Sequence, residues 1–542
     1  MNKFIKRTQA IIFSKQSSIL SSAILLSLMI SLSRLFGFFR YRILAGFFTK
    51  EELDIFFASF RIPDLIFEIL ITGALTTTFI PIFVKYQKNK EDCDINISSI
   101  INFILILMIL LIIILLILLD KIIIIITPGY PQDKTTQIIS FSRILLLGQL
   151  PFLILGNFLT GIAQANKIFI LSAIAPLVYN LAIIIATLFL ANHLFLLAPV
   201  FGTVLGAVLF LIIQVPILFK SRFTYHFIIK KTKALSEFIR LVLPRTITVI
   251  ASQIDATVDL VLTTLLGPGA YTVFYFAQHL QLLPISVIGI AFGQAALPYL
   301  SEIYQEKNTE DFKKIVVNSI LNLFFLTIPI ASFFIFARTP LTRLFFGGQK
   351  FDWEATVQTA TTLSYFAFSI PVHTIYYFLT RCFYALLDSK TPFFISIASI
   401  AVNTFLSFFF IFFLHLPVWS LAISFSMATF FNVLLLFIFL YIKLKGLNYQ
   451  LIIIETLKMV IVVFFSSFVV YFLMRFLDGL IFDTSRTINV FFLLLSGGII
   501  YFILYLFISW IIDVKEIYLL TKLLIKAKEY QRKIIEICSQ YE

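Results

Sequence analysis

Across 542 residues the chain is 60% hydrophobic and only 13% charged, with a mean hydropathy of +1.01, whereas an ordinary soluble domain is about one quarter charged. So few charges exclude a water-soluble globule of this size. The net charge of +14 falls in short basic clusters between apolar runs, which excludes a nucleic-acid-binding face, and the widely spaced Cys93, Cys382 and Cys538 match no zinc, haem or disulfide pattern.

The first apolar run follows basic residues, but no small-residue cleavage site lies at signal-peptide distance, so it reads as a membrane span. In chain order, apolar runs between charged or Pro/Gly breaks predict helices near 19–47, 53–84, 97–119, 136–165, 168–190 and 195–219. A second set follows near 236–266, 271–303, 312–337, 355–387, 393–414 and 418–442, then two more near 455–478 and 488–512. The prediction is an all-α polytopic membrane protein of about 14 transmembrane helices. An even count puts both termini on one side, and retention of Lys and Arg in the cytoplasm says which. That side carries Lys3, Lys6, Arg7 and Lys15, Lys85 to Lys90, Lys220 to Lys233, Lys307 to Lys314, Lys443 with Lys445, and Lys515 to Lys533. The other side holds little beyond Lys50, Lys121, Lys134, Arg338, Arg343, Lys350 and Arg486.

The expected divisions are a cytoplasmic N-terminus (1–18), an N-lobe (19–219), a C-lobe with its cytoplasmic linker (220–442), two further spans (443–512) and a basic cytoplasmic tail (513–542). The tail alternates Lys with Ile and Leu at helical spacing, which suits either an amphipathic helix on the inner leaflet or a solvated helical end. The two lobes look like copies. Pro81 matches Pro298, Pro151 matches Pro371 and Asn180 matches Asn403, at offsets near 220 residues. Halves that both start and end in the cytoplasm are related by an axis along the membrane normal, so two lobes rocking about a central cavity is the expected mechanism.

An ionisable side chain at membrane depth is costly and marks function unless it snorkels. Arg34 lies about 22 Å into its span at 1.5 Å per residue, and Glu68 and Asp255 are comparably deep. Arg34, Arg40 and Arg42 in Ser33-Arg34-Leu-Phe-Gly37-Phe-Phe-Arg40-Tyr41-Arg42 suit a bidentate phosphate or pyrophosphate. The alternatives are pairing of Arg34 with Asp54 or Glu68 and snorkelling of Arg40 and Arg42; Arg61 is open between a cavity role and snorkelling. Asp255 and Asp259, four apart on one helix face, would hold Na⁺, carry a proton or pair with an arginine. His279 is either an anion ligand or a hydrogen-bonded core imidazole, and Arg143 and Arg381 read as span-end anchors. With no Gly-rich phosphate loop, nucleophile elbow or metal-ligand cluster, no enzyme is expected, and no cofactor beyond a coupling Na⁺ or H⁺.

Specific motifs then carry a resemblance: Ser33-Arg34-Leu35-Phe36-Gly37-Phe38-Phe39-Arg40, Leu53-Asp54-Ile55-Phe56-Phe57-Ala58-Ser59-Phe60-Arg61-Ile62-Pro63, Gly73-Ala74-Leu75 running to Phe79-Ile80-Pro81, Ala277-Gln278-His279-Leu280 with Pro284, Gly289 and Leu297-Pro298, and Phe383-Tyr384-Ala385 with Asp388-Ser389-Lys390-Thr391-Pro392. Along its whole length the chain resembles the MurJ (MviN) lipid II flippases of the multidrug/oligosaccharidyl-lipid/polysaccharide exporter superfamily. The resemblance implies a monomeric two-lobed flippase of the bacterial cytoplasmic membrane that carries an undecaprenyl-pyrophosphate-linked disaccharide pentapeptide outward, with cell-wall synthesis proteins as further partners. It implies that Arg34, Arg40 and Asp54 occupy functional positions, that a coupling cation binds at Asp255 or Asp259 with Asn403, and that the last two spans form a lipid-tail groove; with the charges at depth, the expected headgroup contacts are Arg34, Arg40, Arg61, Asp54 and His279, and the expected cavity or gating charges Glu68 and Arg42. Tyr41, Phe67 with Glu68, and His279 depart from the family pattern, which often has an acid at the first and arginines at the others. Export of another polyprenyl-linked glycan, drug or cation antiport, and a non-transporting scaffold are the alternatives, because fold does not fix substrate.

Overall fold

The computed structural model describes residues 19–72, 78–87, 90–166, 168, 170–221, 223–306, 308–481, 483 and 486–518. The N-terminus 1–18, the Gly73-Ala74-Leu75 motif and the tail beyond Tyr518 lie outside the described residues. Among those described, every regular element is helical. Among the described residues ten helices are long and apolar enough to cross a bilayer, beginning with Asp92–Ile126 and ending with Thr487–Ile511. The remaining four expected segments are helical too. They form Ile19–Phe47; Lys50–Ser59, Arg61–Phe67 and Ile80–Tyr86; Lys233–Leu265; and Trp353–Ala367 with Ser369–Ala385.

The chain divides into two compact units, residues up to Thr272 with Phe345–Ala355, and Val273–Leu344 with the residues from Thr356 onward. In the first, Ile170–Leu194 lies along Leu197–Gln214 and Ile19–Phe47. The first of these contacts is close because Gly202 stands against Ala186 and Ile183, where a Cβ would sit 2.7 Å from the Ala186 methyl. Small residues permit this approach in membranes, where apolarity alone does not drive helices together. Lys90–Ile126 packs on Lys233–Leu265. At its far end the Gly129 amide donates to Thr264 Oγ1 at 3.3 Å, and a Cβ on Gly129 would meet the Thr264 carbonyl oxygen at 2.0 Å, so only glycine fits.

The second unit is centred on Thr309–Phe336, which packs on Ser369–Ala385 and Tyr449–Leu480. Pro329 interrupts that central helix. Lacking an N–H, it leaves the carbonyl four residues earlier, that of Phe325, without its helical donor. The buried Tyr505 hydroxyl supplies one at 2.9 Å, and Tyr501 donates to the Pro329 carbonyl at 3.1 Å. Helix Thr487–Ile511, which lies outside the internal repeat, is thereby keyed to the core of this unit. Tyr505→Phe is expected to leave the buried Phe325 carbonyl unsatisfied and to cost about 1–3 kcal/mol, read as a lowered thermal midpoint in detergent; Tyr471→Phe, at an exposed position, is the control.

The repeat is visible in the secondary structure. Helices Gln132–Gly148 and Leu150–Ala165 part at Gln149, just before Pro151, and Trp353–Ala367 and Ser369–Ala385 part at Phe368, just before Pro371. A π-helical turn at Glu68–Thr72 has its counterpart at Ile285–Ile290, and the 217 residues between Pro81 and Pro298 also separate Glu68 from Ile285. Such a turn inserts one residue into the helix and re-aims the side chains beyond it, and it occurs often at functional sites.

Candidate functional site

The charges within the spans of the first unit form a seam of mixed sign. Arg34, near mid-span on Ile19–Phe47, is exposed, with no ion-pair partner among the described residues. Two turns on, the Arg40 guanidinium stands 4.6 Å from the centre of the Tyr41 ring. Tyr41 is itself buried against Phe57 and Phe346, so the platform is rigid. A cation over an aromatic face is attracted by the negative face of the ring quadrupole. Arg42 is half-buried one residue further.

Arg61 begins the short helix Arg61–Phe67 after a break at Phe60. Its guanidinium reaches helix Lys233–Leu265, donating to the Gln253 carbonyl at 2.5 Å, Gln253 Oε1 at 2.7 Å and Thr257 Oγ1 at 3.0 Å. Gln253 and Thr257 are four apart and share a face. Arg61 is therefore tied into the protein and does not snorkel. It lies within electrostatic reach of Asp64 and of the buried Asp259, which in turn feels Asp255; Asp64 also feels Arg40 and Glu68. The arginines offset part of the cost of holding these carboxyl groups out of water, while Glu68 beside Asp64 and Asp255 beside Asp259 add to it.

Asp54 is elsewhere. It is fully buried on Lys50–Ser59, a helix started by a capping box in which Thr49 and Glu52 exchange hydrogen bonds. Its carboxylate accepts from the Gly269 amide at 2.5 Å and from the Thr272 amide and hydroxyl at 2.8 Å each, capping helix Ala270–Pro284. A carboxylate at a helix N-terminus satisfies orphan amides and meets the positive end of the helix dipole. Gly269 has φ +85°, and a Cβ there would press on the Lys50 side chain at 2.4 Å, so the cap depends on glycine. Around it Lys50 pairs with Glu354 at 3.6 Å and the Phe351 amide donates to the Ala45 carbonyl at 3.1 Å. This cluster joins segments predicted to face outward. The alternative pairing of Arg34 with Asp54 is not made, because backbone amides occupy that carboxylate.

The second unit holds His279 and Asn403. His279 Nδ1 donates to the Tyr275 carbonyl at 2.8 Å, which fixes its tautomer, and its ring lies 4.0 Å from the Tyr275 ring. Asn403 is buried on Lys390–Phe408, as are Ser399 and Ser407. Arg381 stands 5.5 Å from the Tyr384 ring and Arg143 pairs with Asp120 at 2.5 Å. No group of three or more His, Cys, Asp or Glu able to hold a metal ion occurs among the described residues.

A family model described as MurJ, lipid II flippase MurJ, matches residues 43–492. The chain belongs to this family. It is 26% identical over 497 residues to a probable lipid II flippase MurJ of Buchnera aphidicola subsp. Schizaphis graminum, covering 90% of this chain and 96% of the relative. To the lipid II flippase MurJ of Burkholderia cenocepacia it is 25% identical, covering 70% and 76%. Among solved structures it is similar to a lipid II flippase MurJ in an inward closed conformation, with TM-score 0.74, 25% identity and coverage of 90% and 98%. A multidrug resistance MATE transporter of the MOP superfamily shares the fold, with TM-score 0.66, 16% identity and coverage of 76% and 94%.

Against the family pattern, Tyr41 in place of an acid gives Arg40 a neutral ring to rest on. Three members of the seam escaped the sequence reading. Asp64 follows directly on the Phe60-Arg61-Ile62-Pro63 motif, and Gln253 and Thr257 sit one turn apart ahead of Asp259. Their helical spacing within an otherwise apolar span was the available signal.

Proposed function

We propose that this chain is a lipid II flippase that carries the undecaprenyl-pyrophosphate-linked precursor from the inner to the outer leaflet of the bacterial cytoplasmic membrane by alternating access of two lobes. The match to the flippase family over residues 43–492 carries this reading. The seam supports it chemically, since a pyrophosphate has the charge and planar oxygen pairs that guanidinium groups fit. In this reading Arg34, Arg40 and Arg61, with His279, contact the headgroup, and Gln253 with Thr257 positions Arg61. Glu68 and Arg42 set the cavity charge. The Asp54 cap holds the outward-facing end closed, and the last two spans take the lipid tail. Asp255, Asp259 and Asn403 are the candidates for coupling to Na⁺ or a proton. The chain catalyses no covalent step, keeps both termini in the cytoplasm and acts as a monomer, with cell-wall synthesis proteins as further partners. The fold shared with a MATE transporter favours a second reading, export of another polyprenyl-linked glycan or drug antiport.

Replacing a host's essential lipid II flippase by this chain separates the readings. Wild type is expected to restore growth and outward exposure of lipid II, and Arg34→Ala at equal membrane abundance to restore neither. A well-expressed wild type that fails would move the substrate to another lipid-linked glycan, and an active Arg34→Ala would remove that side chain from the headgroup site.

A further inference from the structure

Helix Lys90–Ile126 carries its own membrane ruler. It is free of charge from Ile95 to Leu119 and regains charge at Asp120 and Lys121. At 1.5 Å per residue the ~30 Å hydrocarbon core takes about 20 residues, which counted back from Leu119 end at Ile100. The polar Ser98, Ser99 and Asn102 therefore stand at one boundary of the hydrocarbon, and the turn before them lies at headgroup level.

At this level the segment before Lys233–Leu265 is laid along the helix as an extended strap. Asp94, Ser98, Ser99 and Asn102 recur at helical spacing on one face and hold the backbone of the strap. The Thr224 amide donates to Asp94 at 2.9 Å, the His226 amide to Ser98 at 2.9 Å and the Lys230 amide to Ser99 at 3.2 Å. Asn102 Nδ2 donates to the carbonyls of His226 and Ile228 at 3.0 and 2.9 Å, and the Tyr225 hydroxyl donates to Asn102 Oδ1. His226 Nε2 lies 4.0 Å from Asp94.

The helix thus holds three amides and two carbonyls of the strap in place without a sheet partner, and the side chains between these anchor points face outward. Phe227 is 90% exposed, Ile229 52% and Tyr225 42%, and Lys230 and Lys231 are exposed beside them. Aromatic and aliphatic groups flanked by lysines at headgroup depth have the composition of an interfacial anchor. We propose that the strap Phe223–Thr232 is a binding surface for anionic lipid, with Phe227 and Ile229 entering the acyl boundary and Lys230 and Lys231 meeting headgroup phosphates. This occupant follows from the position of the strap at the hydrocarbon boundary and from its charge.

The test uses the full chain carrying Phe227→Cys and Cys538→Ser, labelled with an environment-sensitive fluorophore; Cys93 and Cys382 are buried. It is placed in nanodiscs of phosphatidylcholine with or without phosphatidylglycerol, and doxyl lipids are the quencher. Blue-shifted emission quenched by doxyl lipid, more strongly with phosphatidylglycerol, is expected. Lys230→Gln and Lys231→Gln should each weaken the anionic preference about fivefold, and Asn102→Ala should lower quenching by releasing the strap. Water-like unquenched emission would overturn the proposal. So would equal quenching in both bilayers, or a blue shift that doxyl lipid leaves unquenched, which would assign the surface to a protein partner or a second copy.

Discussion

Arg61→Ala is expected to abolish flipping and to lower the thermal midpoint markedly, because it removes three hydrogen bonds to Gln253 and Thr257 and a positive charge that acts on Asp64 and Asp259. A hydrogen bond from a charged donor contributes about 1.5–3 kcal/mol, and the buried Asp259 also loses a charge that offsets its burial. Two further variants separate structure from transport. Arg61→Lys keeps the charge but not the planar fork that serves two side chains and a carbonyl together, so stability should recover more than activity. Combining Arg61→Ala with Asp259→Asn removes the stranded carboxylate and should restore part of the stability without restoring activity. Thermal unfolding in detergent and lipid II exposure in cells read the two effects. A combined variant no more stable than Arg61→Ala would show that Asp259 is not the group Arg61 compensates.

Asp54→Ala is expected to be nearly as damaging by a different route. It leaves the Gly269 and Thr272 amides without their acceptor in a fully buried place, while the Thr272 hydroxyl keeps the Lys50 carbonyl at 2.9 Å. Each such loss costs about 1–3 kcal/mol. Asp54→Asn keeps the volume and one acceptor oxygen but lacks the charge that suits a helix N-terminus, so it should be intermediate. If the cap holds the outward end closed, the loss falls on that conformation selectively. An exposed cysteine at Glu354, next to the cap, should then react faster with an impermeant maleimide in the Asp54→Ala background. Unchanged labelling alongside lost stability would make the cap a folding element with no part in gating.

Much of this was legible from residue order. Uncharged runs of bilayer length need no partner to be recognised, and the helices follow them closely. Pro151 and Pro371 match at the repeat offset, and a helix break stands just before each of them. A missing N–H is a local fact that no tertiary context repairs within the same helix. The motif Leu53 to Pro63 marked Asp54 and Arg61, yet their roles diverge in a way the motif does not contain. One carboxylate is buried under a helix terminus, and one guanidinium is clasped by a helix whose contributing residues lie 192 and 196 positions away.

By itself, then, the sequence determined that this protein lives in lipid, that its chain is helical and internally repeated, and which ionisable residues stand within its apolar runs. Those properties are set by composition and by local spacing. The tertiary structure decided the partners: Gln253 and Thr257 for Arg61, the Gly269 and Thr272 amides for Asp54, the Tyr505 hydroxyl for the carbonyl that Pro329 orphans, and the Asp94 to Asn102 face for the strap. The reason is physical. Hydrophobic spacing says that a polar group will be buried, and burial requires that it be satisfied, but which distant segment supplies the satisfying atom depends on which helices meet.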